Sequence, residues 1–434
     1  MITRRPPGAR WRAEPVERVT AAVPSSSMVS SSEPVPHGQL SPGCAARHPT
    51  DMANDSERAV TSTGGVQAVQ RLARVAVAFL CVSASYLVSG IPTAAFTEQG
   101  SPTSAGAHTR GEGTGHLLPF DDRPRLASRV AADSFWSQAL GIRKQFVVYL
   151  PPSYATTPSR RYPVAYYLHG MSGDEWNWVR AGAIDRTLDS LTAAGMPEMI
   201  VIMPDGDDGW YTTWNNLGNN AECRRAKPPG RQTETVDAFC VPWPKYDDYI
   251  ARDLVARVDS LYRTVPSRSA RAIAGLSMGG YGAISLALQY PDVFSAAASH
   301  SGVLSPLYEG PHPYAMPPRY AATGAELRQN AGWLWPSMVL AFGRDTTGWW
   351  PRDPGRRAAR YAAGDRARIP ALMLDVGVAD PYADQSRDLH ATLQRLGVAH
   401  TYAEWPGAHN WDYWRVHARE SLRWIGGKIG NGAR

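Results

Sequence analysis

The sequence predicts an α/β fold, in which helices cover both faces of a mostly parallel β-sheet. Short apolar runs bounded by Pro, Gly or Asp alternate with segments whose apolar residues recur at helical spacing. The runs are apolar throughout, which is typical of strands buried on both faces. Hydrophobic residues make up 43% of the 434 residues, which is enough for a large core and excludes global disorder.

Seven strands and four helices are predicted along the chain. The strand 144–150 is stopped by Pro151 and Pro152, and the strand 164–168 leads into His169. In the first helix, apolar residues recur every three or four positions from Ile250 onward. The other predicted strands are 198–203, 271–275, 294–299, 371–374 and 401–404, and the predicted helices are 249–263, 281–290, 385–396 and 411–425.

The first 115 residues are predicted to be a disordered leader, because they are rich in Ser, Pro, Ala and Gly and lack apolar periodicity. One apolar run, 75–90, follows two arginines. A cleaved secretory signal and a membrane anchor through 75–97 both fit this run, and cleavage is favoured. Because export signals begin near the start of a chain, Met52 is an alternative start to Met1. Either way, the main domain is expected to be secreted or associated with the cell envelope.

The rest of the chain, 116–430, is predicted to form one catalytic domain with insertions at about 205–247 and 304–366. The net charge of +6 comes mostly from arginines scattered among acidic residues. Without a basic stripe, nucleic acid is not an expected partner. No metal or nucleotide motif is present, so no cofactor is expected.

Two cysteines remain in the predicted domain, Cys223 and Cys240. Outside the cytoplasm such a pair favours a disulfide, which would stabilise the insertion between them. Two free thiols are the alternative. A zinc site is disfavoured, because two isolated cysteines cannot complete a ligand set.

The segment 275–279 reads Gly-Leu-Ser-Met-Gly and lies between a predicted strand and a predicted helix. This is the G-x-S-x-G pattern of a nucleophile elbow. The turn lifts the Ser277 hydroxyl above the sheet at a helix N-terminus, whose dipole favours developing negative charge. Side chains at Gly275 and Gly279 would collide with neighbouring elements. A turn that only permits close packing is the alternative, but the strand–turn–helix context favours a nucleophile.

A serine nucleophile needs a base that is itself held by an acid. In this architecture the acid and the histidine follow the serine in that order. His409, between the last strand and the last helix, is the predicted base. His300 is its rival, but it precedes any suitable acid. Asp380, in the loop after strand 371–374, is the predicted acid, and Asp375 is the alternative.

The oxyanion formed during attack needs backbone donors. The predicted donors are the N–H of Met278, next to the nucleophile, and the N–H of Met171, in the loop after strand 164–168. His169 is predicted to brace this loop rather than to act in catalysis.

Aromatic residues in two places are candidates for contact with a substrate. Trp210, Tyr211 and Trp214 follow a strand end and are predicted to border the pocket. The insertion 304–366 contains four tryptophans that could stack on a sugar, hold an acyl chain or simply pack beneath a long loop: Trp333, Trp335, Trp349 and Trp350.

Six segments carry motifs in the order found in one protein family. They are VVYLPPSY (147–154), YPVAYYLHG (162–170), YIARDLVARVDSLYRT (249–264), AGLSMGGYGA (274–283), SHSG (299–302) and PGAHNWDYW (406–414). The chain therefore resembles the putative esterase family of α/β-hydrolases, which includes feruloyl esterases, S-formylglutathione hydrolases and secreted mycolyltransferases. The resemblance implies an α/β-hydrolase fold, a triad of Ser277, Asp380 and His409, and oxyanion donors at Met171 and Met278.

The expected function is that of a secreted serine esterase that forms an acyl-enzyme and acts on a small-molecule or sugar ester. Two alternatives stay open: an acyltransferase of the mycolyltransferase type that acylates a sugar hydroxyl, and a non-catalytic ligand-binding protein. Mycolyltransferases normally have an acidic residue where this chain has His169, and their acid partner is usually Glu. These differences favour the esterase branch of the family.

Overall fold

The computed structural model describes residues 128–215, 220–226, 236 and 240–430. The predicted leader 1–115, with its apolar run 75–90, lies outside these residues. Within the described residues, no helix combines the length and the apolar character needed to cross a membrane.

A sheet of eight strands forms the centre of the domain that the described residues build. Their order in the sheet is β1-β2-β4-β3-β5-β6-β9-β10. Strand β2 is antiparallel to both of its neighbours. The remaining pairs of this sheet, β4–β3, β3–β5, β5–β6, β6–β9 and β9–β10, are parallel. The mostly parallel sheet predicted from the sequence is therefore confirmed. The strands are β1 (Arg129–Ser137), β2 (Ile142–Leu150), β3 (Val164–Leu168), β4 (Ile200–Pro204), β5 (Arg271–Leu276), β6 (Ala296–His300), β9 (Ala371–Gly377) and β10 (His400–Trp405).

Helices cover both faces of this sheet, because successive residues of its buried strands point to opposite sides. On one face, Tyr149 and its neighbours pack against α2 and α12. On the other face, Phe146 and its neighbours pack against α5, α6, α10 and α11. The helices are α1 (Asn177–Arg180), α2 (Ile184–Ala193), α3 (Asn220–Ala226), α4 (Tyr246–Asp248), α5 (Val255–Leu261), α6 (Met278–Gln289), α7 (Gly324–Ala331), α8 (Trp335–Phe342), α9 (Thr346–Trp349), α10 (Pro354–Ala362), α11 (Ala383–Arg395) and α12 (Trp411–Ile429), and a π-helix, Tyr249–Leu254, joins α4 to α5.

The insertion predicted at 304–366 leaves the sheet after β6 and returns at β9. It contains α7 to α10 and a small antiparallel sheet of β7 (Tyr308–Gly310) and β8 (Arg319–Tyr320). Strands β6 and β9 pair directly with each other, from Ala296 with Ala371 to His300 with Asp375. The insertion is therefore an excursion between two neighbouring strands.

The seven predicted strands correspond to β2, β3, β4, β5, β6, β9 and β10, with ends that differ from the prediction by at most three residues. Strand β1 was not predicted, because its charged residues Arg129 and Asp133 interrupt any apolar run. Helix α2 was also missed, although Ile184, Leu188 and Leu191 recur at helical spacing and are buried.

Candidate active site

Ser277 lies at the sharp turn between β5 and α6, as the elbow motif predicts. Its φ of 53° and ψ of −119° lie in a region that non-glycine residues rarely adopt. A β-carbon on Gly275 would lie 2.3 Å from the carbonyl oxygen of Gly279, and one on Gly279 would lie 2.4 Å from the carbonyl oxygen of His169. The collisions predicted for side chains at these two glycines are thereby confirmed. Because neither glycine has a side chain, α6 can start close to β3 and β5.

The structure brings the predicted nucleophile, base and acid together. His409 Nε2 is 2.9 Å from Ser277 Oγ, and His409 Nδ1 is 2.9 Å from Asp380 Oδ2. The Asp380 side chain is completely buried, whereas that of His409 is 21% exposed. Since an ionised carboxylate can only accept, Asp380 fixes the proton of the neutral imidazole on Nδ1 and leaves Nε2 free to accept from Ser277.

The loops that carry Asp380 and His409 are bonded to each other. The N–H of Val378 donates to Trp405 O, and the N–H of Ala379 donates to Gly407 O, each at 2.9 Å. Asp380 Oδ1 also accepts the N–H of Tyr382 at 2.8 Å. The loop after β9 and the loop after β10 therefore form one hydrogen-bonded unit, which fixes the acid relative to the base.

Two aromatic rings enclose the His409 imidazole. The rings of Tyr382 and Trp414 each meet it edge to face at a centroid distance of 4.9 Å. Burial, together with the negative charge of Asp380, raises the pKa of Tyr382 to about 12, so its hydroxyl stays neutral near pH 7. The imidazole is thus oriented by packing as well as by hydrogen bonds.

The predicted oxyanion donors lie on two segments next to Ser277. Met278 is the first residue of α6, so its N–H has no partner within the helix. A β-carbon on Gly170 would lie 3.3 Å from Ser277 Cβ, and this contact places the loop that contains Met171 beside the nucleophile.

His169 braces that loop, as its position suggests. Its Nε2 accepts the N–H of Gly206 at 2.8 Å, and its Nδ1 is 2.7 Å from the carbonyl oxygen of Gly170. A nitrogen that accepts carries no proton, so His169 is neutral and its Nδ1–H donates to Gly170. The ring thereby links the loop after β3 to the loop after β4.

A buried ion cluster that sequence reasoning missed supports the same region. Lys144 Nζ lies 2.6 Å from Asp205 Oδ2 and 2.8 Å from Asp207 Oδ1. Burial disfavours the charge on Lys144, but the two carboxylates outweigh that cost and raise its pKa. The neighbouring Asp208 accepts the N–H of Ser172 at 2.7 Å. The cluster thus holds the loop after β4, which in turn holds the predicted oxyanion loop.

The prediction that Trp210, Tyr211 and Trp214 contact the substrate disagrees with their burial. Their exposed fractions are 0%, 1% and 4%. Trp210 packs edge-on against Tyr281, and the Tyr211 hydroxyl donates to the carbonyl oxygen of His169 at 3.1 Å. These three side chains fill the space beneath the loop after β4, so we assign them to its support.

The tryptophans of the insertion separate into packing and surface positions. Trp349 is fully buried, whereas Trp333 is 62% exposed. The polar N–H of the Trp333 indole lies near the hydroxyl of Tyr382 and opposes the rise in its pKa, and Tyr382 is the residue that packs against His409. In the next helix, Ser337 Oγ contacts Met171 Sδ at 3.8 Å. The insertion therefore reaches both sides of the triad, at Tyr382 and at Met171.

The rival candidates, His300 and Asp375, lie apart from this chain of hydrogen bonds. Both are buried, and His300 Nδ1 is 2.8 Å from Asp375 Oδ2. His300 Nε2 is directed to Ser421 Oγ at 2.8 Å. A third acidic residue near the end of the chain, Glu404 at the end of β10, is engaged in an ion pair: its Oε2 lies 2.6 Å from a guanidinium nitrogen of Arg387.

Cys223 and Cys240 form a disulfide, with their Cα atoms 5.6 Å apart. Both residues are buried. The bond joins the end of the insertion at 205–247 to α3, and Glu222 of α3 forms an ion pair with Arg344, just after the end of α8.

Comparisons with known proteins agree with this architecture. The family model described as Putative esterase matches residues 137–425. Esterase Rv1288 of Mycobacterium tuberculosis H37Rv is 31% identical over 200 residues, which are 45% of this chain and 37% of that protein. Esterase MT1326 of the CDC 1551 strain of the same species gives the same values. The chain thus matches little more than a third of the length of these relatives.

Solved structures share the fold at low sequence identity. A ferulic acid esterase is 22% identical, with a TM-score of 0.52 over 70% of this chain and 100% of its own. The fluorophosphonate-binding serine hydrolase FphF of Staphylococcus aureus is 23% identical, with a TM-score of 0.52 over 69% of this chain and 98% of its own. These likenesses show an α/β-hydrolase fold, as the sequence predicted. Because the family model covers most of the chain, the protein belongs to the Putative esterase family.

Proposed function

We propose that this protein is a serine esterase that hydrolyses carboxylic esters through an acyl-enzyme on Ser277. The observation that carries the proposal is the pair of 2.9 Å hydrogen bonds that links Ser277 to His409 and His409 to Asp380. A serine hydroxyl is a weak nucleophile, and this arrangement supplies the base and the orienting acid that it needs.

In the first half of the reaction, Ser277 Oγ attacks the carbonyl carbon of the ester while its proton passes to His409 Nε2. The carbonyl oxygen becomes an oxyanion, which the N–H groups of Met171 and Met278 stabilise. The tetrahedral intermediate collapses, and His409 returns the proton to the departing alcohol oxygen. Asp380 stays ionised throughout and stabilises the imidazolium.

In the second half, water takes the place of the alcohol. His409 removes a proton from the water, whose oxygen attacks the acyl carbon. Collapse of this second intermediate breaks the bond to Ser277 Oγ, which regains its proton from His409. The products are a carboxylic acid and an alcohol, and the enzyme returns to its starting state.

We place the substrate beside Trp333 and Tyr382 rather than beside the buried aromatics that follow β4. Trp333 is largely exposed and lies near the hydroxyl of Tyr382, whose ring packs against His409. Aromatic faces bind sugars and flat acyl groups through their apolar surfaces. The position of the exposed Trp333 ring near Tyr382 and His409 supports a small-molecule or sugar ester as the substrate.

We further propose that the domain 116–430 works outside the cytoplasm, behind the leader 1–115. The disulfide between Cys223 and Cys240 supports this location, because such bonds persist in oxidising compartments.

A fluorophosphonate probe tests the nucleophile, since it labels activated serines. Wild-type protein should be labelled and should hydrolyse p-nitrophenyl acetate, whereas Ser277→Ala should do neither. Asp380→Asn should lower kcat by about 10⁴-fold, because the amide stabilises the wrong tautomer of His409. A wild-type protein that is folded but neither labelled nor active would refute the esterase proposal.

The acyl acceptor is tested separately by adding trehalose to the assay. Hydrolysis should continue at an unchanged rate, with the free acid as the main product. Acyl transfer to the sugar at a rate above that of hydrolysis would replace this proposal with the acyltransferase alternative.

A further inference from the structure

A second polar cluster, which is fully buried, lies beneath the triad. It contains His300 and Asp375, the two residues that the sequence offers as alternatives to His409 and Asp380. His300 and Asp375 are directly paired across β6 and β9, and both side chains are buried. Asp375 Oδ2 is 2.8 Å from His300 Nδ1, and Asp375 Oδ1 accepts the hydroxyl of Tyr413 at 2.9 Å. Burying a carboxylate costs free energy unless its oxygens accept hydrogen bonds, so the bond from the Tyr413 hydroxyl is what holds Asp375 in place.

The other side of His300 is fixed by the last helix. Ser421 Oγ donates its only hydrogen to the carbonyl oxygen of Ala418 at 3.0 Å. The oxygen can therefore only accept hydrogen bonds from its other neighbours, His300 and Tyr167. His300 Nε2 is 2.8 Å from this hydroxyl oxygen, and the Tyr167 hydroxyl is 3.0 Å from it. The cluster therefore connects β3, β6, β9 and α12.

Ser277 is attached to this cluster by a hydrogen bond, and Asp380 by its position in the sequence. The N–H of Ser277 donates to the carbonyl oxygen of His300 at 2.9 Å. Asp380 follows Asp375 on the same chain segment, just beyond the end of β9.

The attachment of His409 runs through Tyr413. The Tyr413 ring packs against Gly407, where a β-carbon would lie 2.6 Å from its Cδ2 atom. The N–H of Tyr413 donates to the Asn410 side chain at 3.1 Å. Tyr413 thus holds both ends of the short loop that presents His409.

We propose that Tyr413 and Asp375 are positioning residues, which fix the His409 loop at the distance from Ser277 that proton transfer requires. The inference rests on the proposed esterase function. The two residues act through the backbone of the loop and do not touch the reacting atoms. Because small displacements of a base reduce proton transfer steeply, the loss of this hydrogen bond should lower kcat and leave substrate binding unchanged.

The test compares Tyr413→Phe with Tyr149→Phe in the full chain. Both variants lose a buried tyrosine hydroxyl that donates to a carboxylate: Tyr149 donates to Asp189 at 2.7 Å, on β2 and away from the triad. Tyr413→Phe should lower kcat and the rate of fluorophosphonate labelling by about tenfold, with KM within a factor of two. Tyr149→Phe should lose similar thermal stability but keep kcat within a factor of two.

Asp375 is tested by a conservative and a disruptive variant. In Asp375→Asn, the amide oxygen still accepts from Tyr413 and the amide nitrogen faces His300, so kcat should stay within about fivefold of wild type. Asp375→Ala should reproduce the kcat loss of Tyr413→Phe. A thousandfold loss in Asp375→Asn would instead identify Asp375 as the acid of the triad and overturn the inference.

The inference also fails if folded Tyr413→Phe keeps wild-type kcat, or if both phenylalanine variants lose kcat equally. Failure of the esterase proposal would look different, because the wild-type protein itself would then be inactive and unlabelled.

Discussion

Gly377, at the end of β9, lies directly against Gly407, in the loop that carries His409. A β-carbon on Gly377 would be 2.5 Å from the carbonyl oxygen of Gly407, far inside van der Waals contact. The same two segments are joined by the hydrogen bond from Ala379 to Gly407. The absence of a side chain at Gly377 is therefore what allows the acid loop and the histidine loop to meet.

Gly377→Ala should separate these loops. We expect kcat to fall at least about tenfold, because His409 would shift relative to Asp380, and stability to fall by about 1–3 kcal/mol through overpacking. Gly427→Ala is the matched control, since a β-carbon there meets nothing within 4 Å. It should keep wild-type kcat and gain slightly in helix stability. Steady-state kinetics and urea unfolding measure both effects, and equal kcat in the two variants would contradict the expectation.

Lys144→Met should be strongly destabilising, because it leaves Asp205 and Asp207 as buried carboxylates without their cation. Breaking one side of such a cluster costs about 3–5 kcal/mol. Activity should also fall at temperatures where the variant is folded, since the loop after β4 would no longer fix the loop that carries Met171, the proposed oxyanion donor. Arg415→Met is the control: its ion pair with Asp412 is exposed and is worth about 1 kcal/mol at most. Similar midpoints of urea unfolding for the two variants would argue against the role of the cluster.

Asp353 should make stability depend on pH in an unusual direction. Burial, the larger cause, and the nearby charge of Asp388 raise the pKa of Asp353 to about 6. The folded state thus binds this proton more tightly than the unfolded state does. Its contribution to stability is complete below about pH 4 and is lost as the pH rises through 6, by about 3 kcal/mol in all.

Asp353→Asn should remove that pH dependence. The amide oxygen can still cap α10 by accepting the N–H of Arg356, which the carboxylate accepts at 2.9 Å. The variant should therefore match the wild-type protein near pH 4 and exceed it in stability at pH 8. Urea unfolding at several pH values gives this comparison, and a stability difference that does not vary with pH would refute the assignment.

Removal of the disulfide should lower stability with little effect on the triad. The bond closes a loop with a sequence separation of 17, for which the loss is about 3 kcal/mol. Changing Cys223 and Cys240 to Ser should lower the melting temperature, and a reducing agent should lower that of the wild type but not that of the double variant. A wild-type melting temperature that is insensitive to reduction would show that the bond contributes nothing.

The parts of the fold that the sequence predicted are those with a local signal. Strand β3 consists of five buried residues between Pro163 and His169-Gly170, and its predicted ends match the structure. Helix α6 begins at Met278, three residues before its predicted start. Two consecutive glycines, Gly279 and Gly280, are poor helix formers, and here tertiary packing against β3 outweighs their propensity.

The parts that could not be predicted depend on long-range contacts. Lys144 opened a predicted strand, but nothing local indicates that Asp205 and Asp207, about sixty positions away, would neutralise it. Trp210 and Tyr211 follow a strand end, as residues of a binding site often do, yet their rings turn inward beneath the loop. The direction of a side chain in a loop is set by its neighbours in space, which the sequence does not reveal.

Because β6 and β9 pair directly and in parallel, the stretch from Ser301 to Pro370 runs from the carboxyl end of one strand to the amino end of the strand beside it. The pairing of β6 with β9 does not pass through this stretch, so its length does not set the register of those two strands. Ser277, Asp380 and His409 all lie outside it. Under the proposed placement of the substrate, Trp333 belongs to this stretch and the reacting groups do not, so exchanging the segment around Trp333 for that of a relative should change substrate preference on an unchanged catalytic frame.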